Sequence, residues 1–91
     1  MDNILSIRNG IMNRARNRRK SSKFSQVELA QRSGVSLGSV KRFEKTGEIS
    51  LTSLLKIAIA LESEEDFSNL FSRRSYRSLE EVINEANYTR K

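Results

Sequence analysis

Apolar residues recur along this chain at the three-to-four-residue spacing of helices. The breaks between them carry glycine or a serine-type cap, and the chain contains no proline. Ile4, Ile7, Ile11 and Ala15 fall at i, i+3, i+7 and i+11 and run into the cationic cluster Arg16-Asn17-Arg18-Arg19-Lys20. That stripe predicts a helix over residues 3–20. Phe24-Ser25-Gln26-Val27-Glu28 reads as a helix start. Ser25 takes the N-cap, Glu28 closes a capping box, and Phe24 with Leu29 forms the hydrophobic staple that accompanies it. Gly34 suits the left-handed position past the end of this helix, which spans 26–32. Ser36 caps a third helix over 37–45 with Val40 and Phe43 inward. Ser50 caps a fourth, whose Leu51, Leu54, Leu55, Ala58 and Leu61 form the broadest apolar face. Ser63 and Asp66 open a short fifth helix with Phe67, Leu70 and Phe71 at i, i+3 and i+4. Ser72-Arg73-Arg74-Ser75 is a polar break. Beyond it Ser78 and Glu81 pair as a capping box ahead of Leu79, Val82, Ile83 and Ala86 at i, i+3, i+4 and i+7, which predicts a last amphipathic helix. The expectation is an all-α chain divided at residue 72, with residues 1–72 as the main domain and 73–91 as a C-terminal helix and tail.

At 91 residues this is one small domain. It buries only about 60–65% of its unfolded surface, so a partner subunit or ligand would help its stability. Cysteine and histidine are both absent, which removes thiol and imidazole catalysis and makes a zinc or haem site an unpromising reading. No Gly-rich phosphate loop or nucleophile elbow organises the serines, lysines and carboxylates, so an enzyme is not expected, nor a metal or cofactor. No stretch is apolar enough to span a membrane, and the N-terminus has no signal-peptide core. The expected location is the cytoplasm, in association with the nucleoid.

Charge adds a partner. Seventeen Lys and Arg against eleven Asp and Glu give a net +6, distributed as +6 over residues 1–23, +2 over 24–61 and −2 over 62–91. A basic N-terminal half suggests a polyanionic partner. Five cations spaced round one helix do not share a single phosphate backbone. A solvated face is therefore the plainer reading for two or three of Arg14, Arg16, Arg18, Arg19 and Lys20.

The informative stretch runs from Ser25 to Leu61. Two short helices separated by a glycine turn have the spacing of a helix-turn-helix. Ala30 must be small where the second helix crosses close above it. Gly34 must accept positive φ so that the chain turns sharply, and Val40 packs back on the first helix of the pair. Ser25-Gln26-Val27-Glu28-Leu29-Ala30, then Gly34-Val35-Ser36, then Val40 and Glu44 resembles the Xre/Cro, lambda-repressor-like family. Ser50 through Ala58 is similar to that family's fourth helix, and the likeness covers about residues 8–62. It implies an all-α, five-helix DNA-binding domain, here with an extra C-terminal helix, acting on palindromic operators as a dimer.

The resemblance implies that helix 37–45 enters the major groove. Ser36, Leu37, Gly38 and Ser39 would lead, with Lys41 and Arg42 one turn on. Arg42 has the fork to pair bidentately with guanine O6 and N7, Leu37 can meet a thymine methyl, and the serines can bond a base edge or a phosphate. Gly38 costs about 1 kcal/mol of helix propensity, which is reasonable where backbone approaches a base, although chance drift explains it equally well. Gln26 matches a residue that bonds a phosphate, while Lys45 and Lys23 would neutralise phosphates. Glu44 matches a family glutamate paired with an arginine of the first helix, by offset Arg19. Leu37 and Gly38 replace the glutamine-rich start of several members, so base preference does not carry over.

Two functions are therefore expected: a homodimeric repressor that reads duplex DNA, or an antitoxin, since short chains of this kind are similar to HipB-type antitoxins that neutralise a toxin protein and repress their own operon. The segment 79–86 reads as core, dimer interface or partner-docking surface.

Overall fold

The computed structural model describes residues 3–73. It has five helices in this part: α1 (Ile4–Ser21), α2 (Gln26–Ser33), α3 (Leu37–Thr46), α4 (Leu51–Ala60) and the single turn α5 (Glu65–Ser68). There is no strand among the described residues.

Each of the first four helices starts at a side-chain cap. Asn3 accepts from the Ser6 amide, Ser25 from Glu28, Ser36 from Ser39 and Ser50 from Ser53. The capping box at Ser25 is complete, because the Glu28 carboxylate accepts in return from the Ser25 amide at 3.2 Å. Gly34 and Gly47 end α2 and α3 in the left-handed region, with φ of 77° and 80°. Both amides reach back to a carbonyl four residues earlier, which pairs one last-turn carbonyl of each helix as the chain turns.

Helix α2 is the centre of the packing: it lies on both α3 and α4, while α1 packs on α3. The core is Leu29 of α2, Val35 in the turn, Val40 and Phe43 of α3, Ile57 of α4 and Leu61 at its end. Ile11, Met12, Ala15, Phe24, Ala30 and Leu54 close over it. The staple pair Phe24 and Leu29 thus serves as a cap contact and as core.

Three expectations change. The α1 stripe is used only in part: Ile11 and Ala15 pack on the core, but Ile4 and Ile7 are exposed. Helix α1 is about 27 Å long at 1.5 Å per residue, and its first two turns carry no core contact among the described residues. On α4 the buried residues are Ile57 and Ala58, followed by Leu61, whereas Leu51 and Leu55 point out. The fifth helix is a single turn without a side-chain cap. The Ser63 hydroxyl donates to the Leu61 carbonyl instead of capping, Phe67 is half-buried, and Leu70 and Phe71 are exposed. The predicted helix at 79–86 and its capping box lie outside the described residues.

Candidate nucleic-acid interface

Helix α3 has two sides of opposite chemistry. Val40, Phe43 and Glu44 are buried. Gly38, Lys41, Arg42 and Lys45, at i, i+3, i+4 and i+7, form a continuous exposed stripe. None of the three cations on that stripe enters an ion pair among the described residues. Ser36 is exposed and Leu37 is half-buried at the start of the same helix. A Cβ on Gly38 would meet nothing within 4 Å, so the space there is open to another molecule's backbone or base edge.

The two serines form a linked pair. The Ser36 oxygen accepts from the Ser39 amide at 3.1 Å, and its hydroxyl donates to Ser39 Oγ at 2.9 Å. This spends the Ser36 proton inside the cap and leaves the Ser39 hydroxyl free to donate outward. Ser39 and Arg42 border a notch of about 270 Å³ closed by Glu48 and Ile49.

Beneath the stripe, one carboxylate ties three helices together. Glu44 is 4% exposed. Its Oε2 accepts from Arg19 Nε at 2.7 Å, and its Oε1 accepts from Arg19 Nη2 at 2.9 Å and from Gln26 Nε2 at 3.1 Å. Arg19 also donates from Nη1 to the Phe24 carbonyl at 2.8 Å, which fixes the α1–α2 turn. Arg16 donates from Nη2 to the Glu44 carbonyl. The arginine fork therefore holds α1 against α3, and the Gln26 amide holds the first residue of α2 to both. Burial alone would raise the Glu44 carboxyl. The hydrogen bonds from Arg19 and Gln26, with the charges of Arg19 and Arg16, outweigh it and hold the group below its ordinary value. The hydrogen bond to Glu44 likewise raises Arg19, against the opposing effect of its own burial.

The expected site residues fall into two sets. Ser36, Leu37, Gly38, Ser39, Lys41, Arg42 and Lys45 lie along one side of α3. Arg19 and Glu44 lie behind it with Val40, while Ala30 packs on the core and Gly34 makes the turn. Gln26 lies between the sets. It stands at the first position of α2 with one amide hydrogen given to Glu44, which leaves the second uncommitted to Glu44. Lys23, with φ of 62°, is exposed in the α1–α2 turn.

Sequence reasoning did not find four further contacts. Arg16 and Arg18, read only as part of a basic cluster, both bond back to the fold: Arg16 is half-buried at the Glu44 carbonyl, and Arg18, itself exposed, donates from Nε to the Leu61 carbonyl at 3.3 Å. Arg16 lies three residues before Arg19 on the same face, and that spacing was the available signal. The Arg32 guanidinium stacks 4.3 Å from the centre of the Phe24 ring, and Arg8 bridges Glu48 at 3.1 Å. A Cβ on Gly47 would strike Arg8 at 2.8 Å, so the glycine also clears the path for that bridge.

An exposed cationic stripe on the second of two helices joined by a glycine turn, clamped from behind by a buried ion pair, is the arrangement of a helix-turn-helix. A family model described as helix-turn-helix matches residues 16–67, more than half of the chain. The chain belongs to this helix-turn-helix family, of the Xre, lambda-repressor-like kind. No curated protein and no solved structure matches it. The matched residues run from Arg16 to Phe67 and so contain the whole clamp, the turn and the α3 stripe. As a member of this family the chain is a DNA-binding transcription regulator. Among the described residues no helix is long and apolar enough to cross a membrane.

Proposed function

We propose that this helix-turn-helix protein is a sequence-specific repressor. It acts as a homodimer that lays α3 of each copy into the major groove of one half of a palindromic operator. The observation that carries the reading is the exposed Gly38–Lys41–Arg42–Lys45 stripe on a helix whose opposite side is locked into the core. Arg42 reads guanine, and Ser39 donates from its free hydroxyl to a base edge or phosphate. Leu37 meets a thymine methyl, and Ser36 fixes the helix start. Lys41 lies beside Arg42 at the groove edge. Lys45, Lys23 and the free amide hydrogen of Gln26 engage phosphates and set the register. Two half-sites would be about 34–36 Å apart. The exposed apolar residues Leu51, Leu55 and Ile59, at i, i+4 and i+8 on the outer side of α4, support a second copy. The cytoplasm, at the nucleoid, follows as the place of action.

The antitoxin alternative draws on the stretch Gly47 to Phe71 and the segment 79–86 as a second binding surface, of which the family match covers only the part up to Phe67. A kinase-sized protein co-purifying with the chain would favour it.

Binding-site selection from random duplexes, repeated with Arg42→Ala, tests the proposal. A palindrome is expected, with specificity relaxing at one position per half-site. Uniform weakening with unchanged preference would reduce Arg42 to a phosphate contact, and the absence of any enriched site would remove the repressor reading.

A further inference from the structure

Between α1, α4 and α5 lies an open groove of about 610 Å³. Its floor and walls include Ile11, Ala15, Leu54, Ala58, Phe67 and Leu70. A single domain of this size has little core to spare, and a groove of this volume leaves apolar surface wet.

We propose that the groove is filled by the chain's own C-terminal segment, residues 79–86, docked as a helix that completes the core. Three observations point to this occupant. The first is position: Leu70 already lines the groove, so the chain leaves the described region at its edge. Eighteen residues follow Arg73, and the six steps from there to Leu79 reach up to about 20 Å when extended. The groove along α1 from Ile11 to Ser21 is about 15 Å long at helical rise, so the segment reaches any part of it.

The second is pattern. Leu79, Val82, Ile83 and Ala86 recur at i, i+3, i+4 and i+7, a stripe that needs one apolar partner and, at about 10 Å of helical rise, fits within the length of the groove. The third is charge. Residues 78–89 carry Glu80, Glu81 and Glu85 and no cation. The α1 wall of the groove carries Arg14 and Arg18, one turn apart, against a single carboxylate, Asp66, on the α5 side. Arg18 gives its Nε to the Leu61 carbonyl and retains its terminal nitrogens for a carboxylate. The docked segment would thus set its carboxylates beside the two cations of α1. This inference does not depend on the DNA-binding reading.

The chain has no cysteine, so Asn84→Cys in the full-length protein provides a single thiol for a nitroxide label. In isotope-enriched labelled chain, diluted with a large excess of unlabelled and unenriched chain, the signals of Ile11, Ala15, Leu54 and Ala58 should be broadened away. Those of Gly34 and Gly38 should remain. Adding Ile83→Asp to the labelled chain should restore the groove signals while the α2–α3 spectrum stays unchanged. Broadening that appears only when unenriched labelled chain is mixed with enriched unlabelled chain would assign the groove to a second copy and overturn the proposal. Groove signals left sharp in both samples would overturn it as well.

Discussion

Glu44→Ala is the perturbation that probes the clamp most severely. The carboxylate is 4% exposed and receives three hydrogen bonds, two of them from one guanidinium fork. Removing it leaves the Arg19 guanidinium with only the Phe24 carbonyl as partner, in a place where its side chain is 11% exposed. Breaking a buried pair from one side costs about 3–5 kcal/mol, because the remaining charge is stranded. A domain of this length has about 5–14 kcal/mol of stability in all. Thermal and urea unfolding followed by helical circular dichroism should therefore show a Tm lower by at least about 10 °C. The double variant Arg19→Met with Glu44→Leu should recover most of the loss, since neither charge then remains buried. Acidity supplies a further arm. The Glu44 carboxyl is held below its ordinary value of 4.5, so its contribution is fully present above about pH 4.5. It is lost as pH falls through the lower folded value. The stability gap between the natural chain and Glu44→Gln should hold from neutral pH to about 4.5 and then close. A cost under about 1 kcal/mol for Glu44→Ala, or a gap unchanged by acid, would make the clamp an ordinary surface pair and refute the reasoning.

The two helix-turn-helix glycines should respond in opposite senses. Gly34→Ala places a side chain at φ 77° with open space around it, so strain alone should cost about 1 kcal/mol of stability. Gly38→Ala sits in a regular helix with open space and should add about 0.5–1 kcal/mol while weakening DNA binding. Unchanged affinity would mean no DNA backbone or base approaches Gly38. Lys45→Ala should weaken binding to all duplexes alike and flatten the slope of log K against log salt by about 0.9, read from titrations at several salt concentrations. An unchanged slope would remove Lys45 from the phosphate contacts.

The helix-turn-helix core was legible because its signals are local. Ser25 with Glu28, Gly34 and Ser36 fix the caps of α2 and α3 without reference to the rest of the chain. Val40 and Phe43 then leave α3 one way to face. The α4 surface was less legible for a physical reason. Leu51, Leu54, Leu55, Ile57, Ala58 and Ile59 surround the helix with apolar groups, so periodicity alone does not choose a side, and the packing of α2 on α4 decides it by placing Ile57 in the shared core with Leu29. The stripe on α1 was over-read because periodicity says which side is apolar, not how much of it finds a partner. The role of Gln26 at Glu44 depends on how α1, α2 and α3 converge, and no local pattern encodes that convergence.

The claim that α3 presents its outer face to DNA is tested most directly by amide chemical-shift mapping of the isotope-enriched chain against its selected duplex. The largest changes should fall on Ser36, Gly38, Ser39, Lys41, Arg42 and Lys45, with a second group at Gln26. Changes concentrated on α4 and the exposed end of α1, with residues 36–45 unmoved, would contradict it.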